Sequence, residues 1–168
     1  MRKLMISFVF LAAMAMTSSA AWAGGSPNSL GVGAESVFTG IGEDAIGGLS
    51  ANYDMGAFHF GGYLGVADPA GADNTSLQLG ARFFYHLHSS AMADFGVGGT
   101  LAYANVPAGA GEKADLVYLV PGLQIRAFIA SNVALSFSSG IALGLGDADG
   151  VALNGQLTSS AGIHYYFF

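Results

Sequence analysis

Four histidines are the residues of this sequence best suited to chemistry: His59, His86, His88 and His164. An imidazole can act as a general base for a serine hydroxyl, as His86 could for Ser89, or several together can bind a metal ion. No nucleophile elbow, phosphate loop or catalytically spaced carboxylate pair accompanies them. The chain contains no cysteine, which excludes thiol catalysis. We therefore expect structural histidines, no enzymatic activity and no cofactor.

A second candidate site for chemistry is the acidic segment Gly146-Asp147-Ala148-Asp149-Gly150, which looks like a fragment of a calcium loop. Calcium takes six to eight oxygen ligands, and this segment supplies only two carboxylates. We therefore interpret Asp147 and Asp149 as part of a solvated acidic rim, although they remain the candidates if a cation binds. No metal site is predicted.

The elements that position these residues are β-strands, because apolar and less apolar residues alternate with period two along most of the chain. From Leu77 to Leu87, for example, leucine and aromatic residues alternate with positions that include Gln78, Arg82 and His86. The pattern predicts eight strands, at about 30–38, 46–54, 57–67, 75–87, 91–104, 116–128, 132–145 and 152–167. Short turns alternate with longer loops between them, as in a chain that meanders through a membrane.

The less apolar face of these strands decides between a soluble sandwich and a membrane barrel. It carries small residues and a nearly balanced set of charges, Glu35, Asp94 and Asp54 against Arg82 and Arg126. Buried charges must be paired, so we predict a polar network of Glu35, Arg82, Asp94 and Arg126 inside a barrel. The fold prediction is all-β: an eight-stranded antiparallel up-and-down transmembrane β-barrel.

Aromatic residues with outward parity cluster near the short-turn ends of the strands, as in an interfacial girdle. The sixth strand departs from this simple pattern because it contains Pro121. We predict a bulge at Pro121-Gly122, which would turn Leu116, Tyr118 and Val120 toward lipid. Three serines with outward parity, Ser36, Ser139 and Ser159, also depart from the pattern.

The first 23 residues have the form of a secretory leader. Arg2 and Lys3 precede an apolar run, and Ala21-Trp22-Ala23 has the small-x-small form that signal peptidase reads. We expect cleavage after Ala23, with the barrel formed by residues 24–168. The mature chain would keep three of the five basic residues and all eleven acidic ones, a formal charge of −8. That balance argues against nucleic acid as a partner.

The leader, the eight alternating strands and the aromatic last strand together resemble the small outer-membrane β-barrels of Gram-negative bacteria, the OmpA/OmpX type. The resemblance implies an outer-membrane location and a last strand that the barrel assembly machinery reads. Ile163, Tyr165 and Phe167 match the alternation of that signal, and Phe168 extends one residue past it.

An eight-stranded barrel is filled by its own side chains, so a general diffusion pore is not expected. We predict a monomeric structural or surface-interaction protein, which contacts outer-membrane lipids, lipopolysaccharide or a partner through short acidic loops. The alternative is a lipid A modifying enzyme, a deacylase or an acyltransferase built on the same barrel.

Overall fold

The computed structural model describes residues 27–38, 46–68, 70, 75–109, 111–146, 148, 150–152 and 159–167. The predicted leader, residues 1–23, lies outside this part. No helix in the described residues is long and apolar enough to cross a membrane. The strands are β1 (Ser29–Phe38), β2 (Ile46–Asp54), β3 (Phe58–Ala67), β4 (Ser76–Ser89), β5 (Ala93–Gly109), β6 (Glu112–Ala130), β7 (Val133–Gly140), β8 (Ala142–Gly146), β9 (Gly150–Ala152) and β10 (Ser159–Phe167).

These ten segments form the eight strands of one closed antiparallel barrel. β7 and β8 pair with β6 in one continuous register and make the seventh strand. β9 pairs with β8 and β10 pairs with β7, so these two segments make the eighth. The barrel closes where β1 pairs with β10, from Leu30 opposite Phe167 to Phe38 opposite Ser159. The predicted fold is confirmed.

The two faces of the wall carry opposite chemistry. Along β4, Arg82, Phe84 and His86 are buried, whereas Leu79 and Phe83 are exposed by 42% and 41%. Among the described residues, the buried face carries five charged side chains, Glu35, Asp54, Arg82, Asp94 and Arg126, and the exposed face carries large apolar ones. This is the reverse of a soluble protein, in which exposed apolar patches stay small.

The predicted bulge at Pro121 is wrong. β5 and β6 pair without a register shift from Ala93 opposite Ala127 to Pro107 opposite Lys113. The interruption lies instead on the neighbouring strand, at Ile141 between β7 and β8. The Ile141 amide donates to the Pro121 carbonyl at 2.9 Å, and proline has no N–H to return that bond. Parity therefore continues through Pro121.

As a consequence, Leu116, Tyr118 and Val120 face the lumen and not lipid. Leu116 packs with Ala104 and Val106 in a buried apolar cluster, which Ala114, Tyr118 and Ala148 adjoin. β5 and β6 are also longer than predicted, since most of the expected loop 105–115 continues their hairpin. An apolar cluster thus lies in the lumen toward the long loops, between β5 and β6.

Two glycines make room for inward-pointing tyrosine rings on the neighbouring strands. A Cβ atom added to Gly80 would lie 2.0 Å from Cε1 of Tyr63, its cross-strand partner. A Cβ atom added to Gly31 would lie 2.8 Å from the ring of Tyr166, again the cross-strand partner. The inward tyrosines therefore require glycine at these two positions.

Candidate functional site

The candidate site is a set of buried charges inside the barrel, which we call the lumenal network. It comprises Glu35 on β1, Asp54 on β2, Arg82 on β4, Asp94 on β5 and Arg126 on β6, and each of these residues is exposed by 5% or less. Each faces inward because its position has the parity of the less apolar face. The structure divides the network into two groups.

The first group is the ion pair of Glu35 and Arg82. Nη1 of Arg82 donates to Oε1 of Glu35 at 2.7 Å, and Nη2 donates to Oε2. Two strands separate β1 from β4 in the wall, so this pair crosses the lumen. The guanidinium carbon also lies 5.5 Å from the ring centre of Tyr63. This two-point contact is the strong form of an arginine–carboxylate pair.

The second group surrounds Arg126. Its Nη2 atom lies 2.5 Å from Oδ2 of Asp94 and 2.6 Å from Oδ2 of Asp54. The same nitrogen lies 3.1 Å from Nε2 of His86, and Nη1 donates to the Tyr166 hydroxyl at 3.0 Å. Three acceptors share the two protons of Nη2. Arg126 therefore contacts side chains from four other strands, β2, β4, β5 and β10.

The tautomer of His86 follows from its partners. Nδ1 lies 2.6 Å from the Gly56 carbonyl oxygen, which can only accept, so Nδ1 carries the proton. Nε2 is then the acceptor for Arg126, which can only donate. Nδ1 of His59 lies 2.8 Å from the same Nε2 and competes with Arg126 for its single lone pair. His86 is thus a neutral imidazole that is held in one orientation.

A serine and a histidine do meet in the lumen, but they are not His86 and Ser89, the pair that the sequence suggests for a general base and a hydroxyl. Both ring nitrogens of His86 are taken by other groups, which leaves none for Ser89. Instead Oγ of Ser50 lies 2.6 Å from Nε2 of His164. Both side chains are buried, and Nδ1 of His164 meets no hydrogen-bond partner among the described residues. The third group that orients the histidine in a Ser-His-Asp triad is therefore missing from this part of the chain.

Asp54 and Asp94 of the lumenal network, together with His86, have the arrangement of a metal site. Ligand atoms of Asp54, His86 and Asp94 lie within 4.8 Å of one another. Arg126 contacts all three of these residues through Nη2, so the position of a cation is taken by its guanidinium. The predicted candidates Asp147 and Asp149 lie outside the described residues.

At the long-loop end, the hydroxyl of Tyr103 and the amide of Asn105 both donate to Oδ1 of Asp115, at 2.6 and 2.8 Å. These two hydrogen bonds lower the pKa of the Asp115 carboxyl, the Tyr103 bond most. Nearby, Nζ of Lys113 donates to the Thr75 carbonyl at 3.1 Å. The rim of the β5–β6 hairpin is thus ordered by side-chain hydrogen bonds.

The residues of the predicted assembly signal alternate as expected from parity. Ile163, Tyr165 and Phe167 are exposed on the outer wall, whereas His164 and Tyr166 are buried in the lumen. The rings of Tyr165 and Phe167 pack edge to face at 5.0 Å. Phe168 lies outside the described residues.

Comparison with solved structures identifies the fold. The chain is similar to the N-terminal β-barrel domain of Pseudomonas aeruginosa OprF, with a TM-score of 0.60 and 14% identity over 84% of this chain and 98% of that one. Neisserial surface protein A (NspA) matches with a TM-score of 0.41 and 19% identity, over 83% and 94% of the two chains. The chain matches no family model and no curated protein. The similarity to the OprF domain shows the fold, that of a small outer-membrane β-barrel.

Proposed function

We propose that this chain is a non-enzymatic integral protein of the outer membrane of a Gram-negative bacterium. The observation that carries the proposal is the reversed polarity of the barrel. Large apolar side chains cover the outer wall, and paired charges fill the interior. Every backbone group of a closed barrel can be satisfied between strands, which is a requirement for crossing a hydrocarbon layer.

The filled lumen favours a structural or surface-interaction role over transport. Arg82 and Arg126 cross the interior with their carboxylate partners, and Tyr63, Phe84 and Tyr166 occupy the space between them. The outer wall and the loop rim remain for contact with other molecules. We infer a monomer that supports envelope integrity, or that contacts lipopolysaccharide or a protein partner through its acidic loops. The barrel assembly machinery would insert it through its last strand.

Electrophoresis of the membrane fraction with and without boiling tests the location and the fold together. A folded barrel in the membrane fraction should migrate differently before and after heating. A band in the soluble periplasmic fraction that does not respond to heat would contradict the proposal.

Deletion of the protein from its host tests the role. Loss of a structural barrel should increase the entry of a hydrophobic dye or detergent, and the full chain should restore the barrier. A form with its acidic loop residues replaced by Asn and Gln separates the two roles. It should restore the barrier if the barrel itself matters, and fail to restore it if the loops do. A deletion strain whose permeability is normal, and whose surface still binds lipopolysaccharide and protein partners normally, would contradict both roles.

The alternative function is that of a lipid A modifying enzyme, and the Ser50–His164 contact is the observation that bears on it. Incubation of the purified barrel with acyl-labelled lipid A tests this function. Release or transfer of label that Ser50→Ala abolishes would support the enzyme. Untouched lipid A in the presence of a heat-modifiable barrel would reject it.

A further inference from the structure

Two buried histidines lie against each other in the lumen, next to the lower carboxylates of the network. His59 on β3 and His86 on β4 are exposed by only 1% and 6%. Nδ1 of His59 lies 2.8 Å from Nε2 of His86, and the ring centres are 5.1 Å apart. We call these two residues the histidine pair. Because one ring nitrogen faces another, the position of a single hydrogen atom decides how the pair bonds.

Neither tautomer of His59 satisfies the pair. Nδ1 of His86 donates to the Gly56 carbonyl, so Nε2 of His86 offers one lone pair. If Nδ1 of His59 carries its proton, it competes for that lone pair with Nη2 of Arg126, which is 3.1 Å away. If Nε2 of His59 carries the proton, two lone pairs face each other at 2.8 Å. One added proton between the two rings turns these opposed lone pairs into a hydrogen bond.

The charges in the lumen leave room for one more positive charge. Among the described lumenal residues, Glu35 is balanced by Arg82. Asp54 and Asp94 share Arg126 alone. Three carboxylates against two guanidinium groups leave one negative charge uncompensated, and buried charges without a partner are costly. A proton on the histidine pair would make this set of groups neutral.

Groups on the surrounding strands both attract and repel such a proton. Carboxylate oxygens of Asp54 and Asp94 and a ring nitrogen of His86 lie within 4.8 Å of one another, which favours a charged imidazole. Burial and the two arginines oppose it. The charged and titratable side chains around the pair are Asp54 from β2, Arg82 from β4 with its partner Glu35 from β1, Asp94 from β5, Arg126 from β6, and His164 and Tyr166 from β10.

We propose that the histidine pair is an acid-sensitive device, which binds one proton between Nδ1 of His59 and Nε2 of His86. The proton comes from the medium and adds to the lone pair on Nε2, so His86 changes from an acceptor to a donor at this atom. Arg126 then loses its contact with His86 and keeps its two carboxylate partners and the Tyr166 hydroxyl. A fall in pH thus releases β4 from the residue that joins β6 to β2, β5 and β10. This inference goes beyond the proposed function and does not depend on it.

NMR of the full mature chain, folded in detergent micelles with 15N-labelled imidazoles, tests the pair. As the pH falls from about 8 to about 5, His59 and His86 should titrate with one common midpoint and take up one proton between them. The guanidinium nitrogens of Arg126 should shift with the same midpoint. Separate uptake of one proton by each ring, or uptake at the Asp94 carboxyl instead, would overturn the proposal. So would a pair that stays neutral throughout this range while the exposed His88 titrates.

His59→Phe separates a shared proton from the titration of a single histidine, because phenylalanine keeps a ring but has no lone pair. Nε2 of His86 then faces only the donor Arg126, so its midpoint should fall by at least about one pH unit, a tenfold loss of proton affinity. His88→Gln, on the same strand but exposed, is the matched control and should leave the midpoint of the pair unchanged. An unchanged midpoint of His86 in His59→Phe would contradict the shared proton.

Heat-dependent migration shows whether each variant is folded. If His59→Phe does not fold, the common midpoint in the parent chain still decides between a shared proton and two separate ones. A folded parent barrel without a shared proton refutes this inference and leaves the proposed function intact.

Discussion

Arg126 on β6 and Asp94 on β5 are cross-strand partners, and Nη2 of Arg126 lies 2.5 Å from Oδ2 of Asp94 inside the barrel. The same guanidinium nitrogen reaches Asp54 on β2, at 2.6 Å. One cation therefore holds two carboxylates that are distant in sequence and lie on different parts of the wall. This contact ties the short-turn end of the lumen together.

Replacement of Arg126 by glutamine should destabilise the barrel by about 3–5 kcal/mol, because Asp54 and Asp94 would remain buried without their cation. Urea titration in lipid vesicles measures the free energy of unfolding. Adding Asp54→Asn and Asp94→Asn to the same chain should recover much of the loss. A single variant within about 1 kcal/mol of the parent chain would show that the network does not stabilise the fold.

Gly80→Ala should be costly because the added methyl group overlaps the Tyr63 ring. We expect a loss of about 1–3 kcal/mol, typical of an overfilled interior. In a chain that already carries Tyr63→Ala, the same change should cost much less. Equal costs in the two backgrounds, measured by the same titration, would refute the role assigned to this glycine.

Tyr103→Phe should raise the pKa of Asp115 toward its ordinary value of 3.8, because the larger of two stabilising hydrogen bonds is lost. Because the pKa of the Asp115 carboxyl is lower in the folded state than in the unfolded state, its ionisation stabilises the fold at pH values above the unfolded-state pKa. This stabilisation is lost as the pH falls through the folded-state pKa. NMR titration of the Asp115 carboxyl carbon measures the shift, with Tyr53→Phe as the control. An unchanged pKa would contradict the contact.

The last strand makes a prediction about assembly. If side-chain parity governs recognition, Phe167→Ala should abolish the heat-modifiable band, because Phe167 is the outward aromatic paired with Leu30. If the assembly machinery counts from the carboxylate, Phe168→Ala should do so instead. Phe95→Ala removes an outward aromatic elsewhere and should have little effect. Normal insertion of both terminal variants would exclude a terminal aromatic signal.

Side-chain parity was enough to predict the barrel and the inner position of each lumenal charge. It could not predict which charges pair, since the Arg126–Asp54 and Glu35–Arg82 contacts cross the lumen and depend on the stagger of the closed barrel. His86 and Ser50 gave no signal beyond inward parity, because their roles depend on those same cross-lumen distances.

Pro121 led to the wrong prediction for the sixth strand. A proline removes one ladder hydrogen bond, and sequence alone does not show which strand adjusts. Here the neighbour is interrupted at Ile141 while β6 keeps its register. Leu116 and Tyr118 were consequently assigned to lipid, although they line the lumen near the long loops.

Spin labels at single introduced cysteines test the central claim, that the apolar wall faces lipid, most directly. The chain has no cysteine of its own, so each label reports one site. In lipid vesicles, labels at Leu123 and Ile125 on the outer wall should collide readily with oxygen and rarely with a water-soluble nickel chelate. A label at Glu112 on the exposed rim should show the opposite. Equal access of the nickel chelate to Leu123, Ile125 and Glu112 would contradict a membrane-embedded barrel.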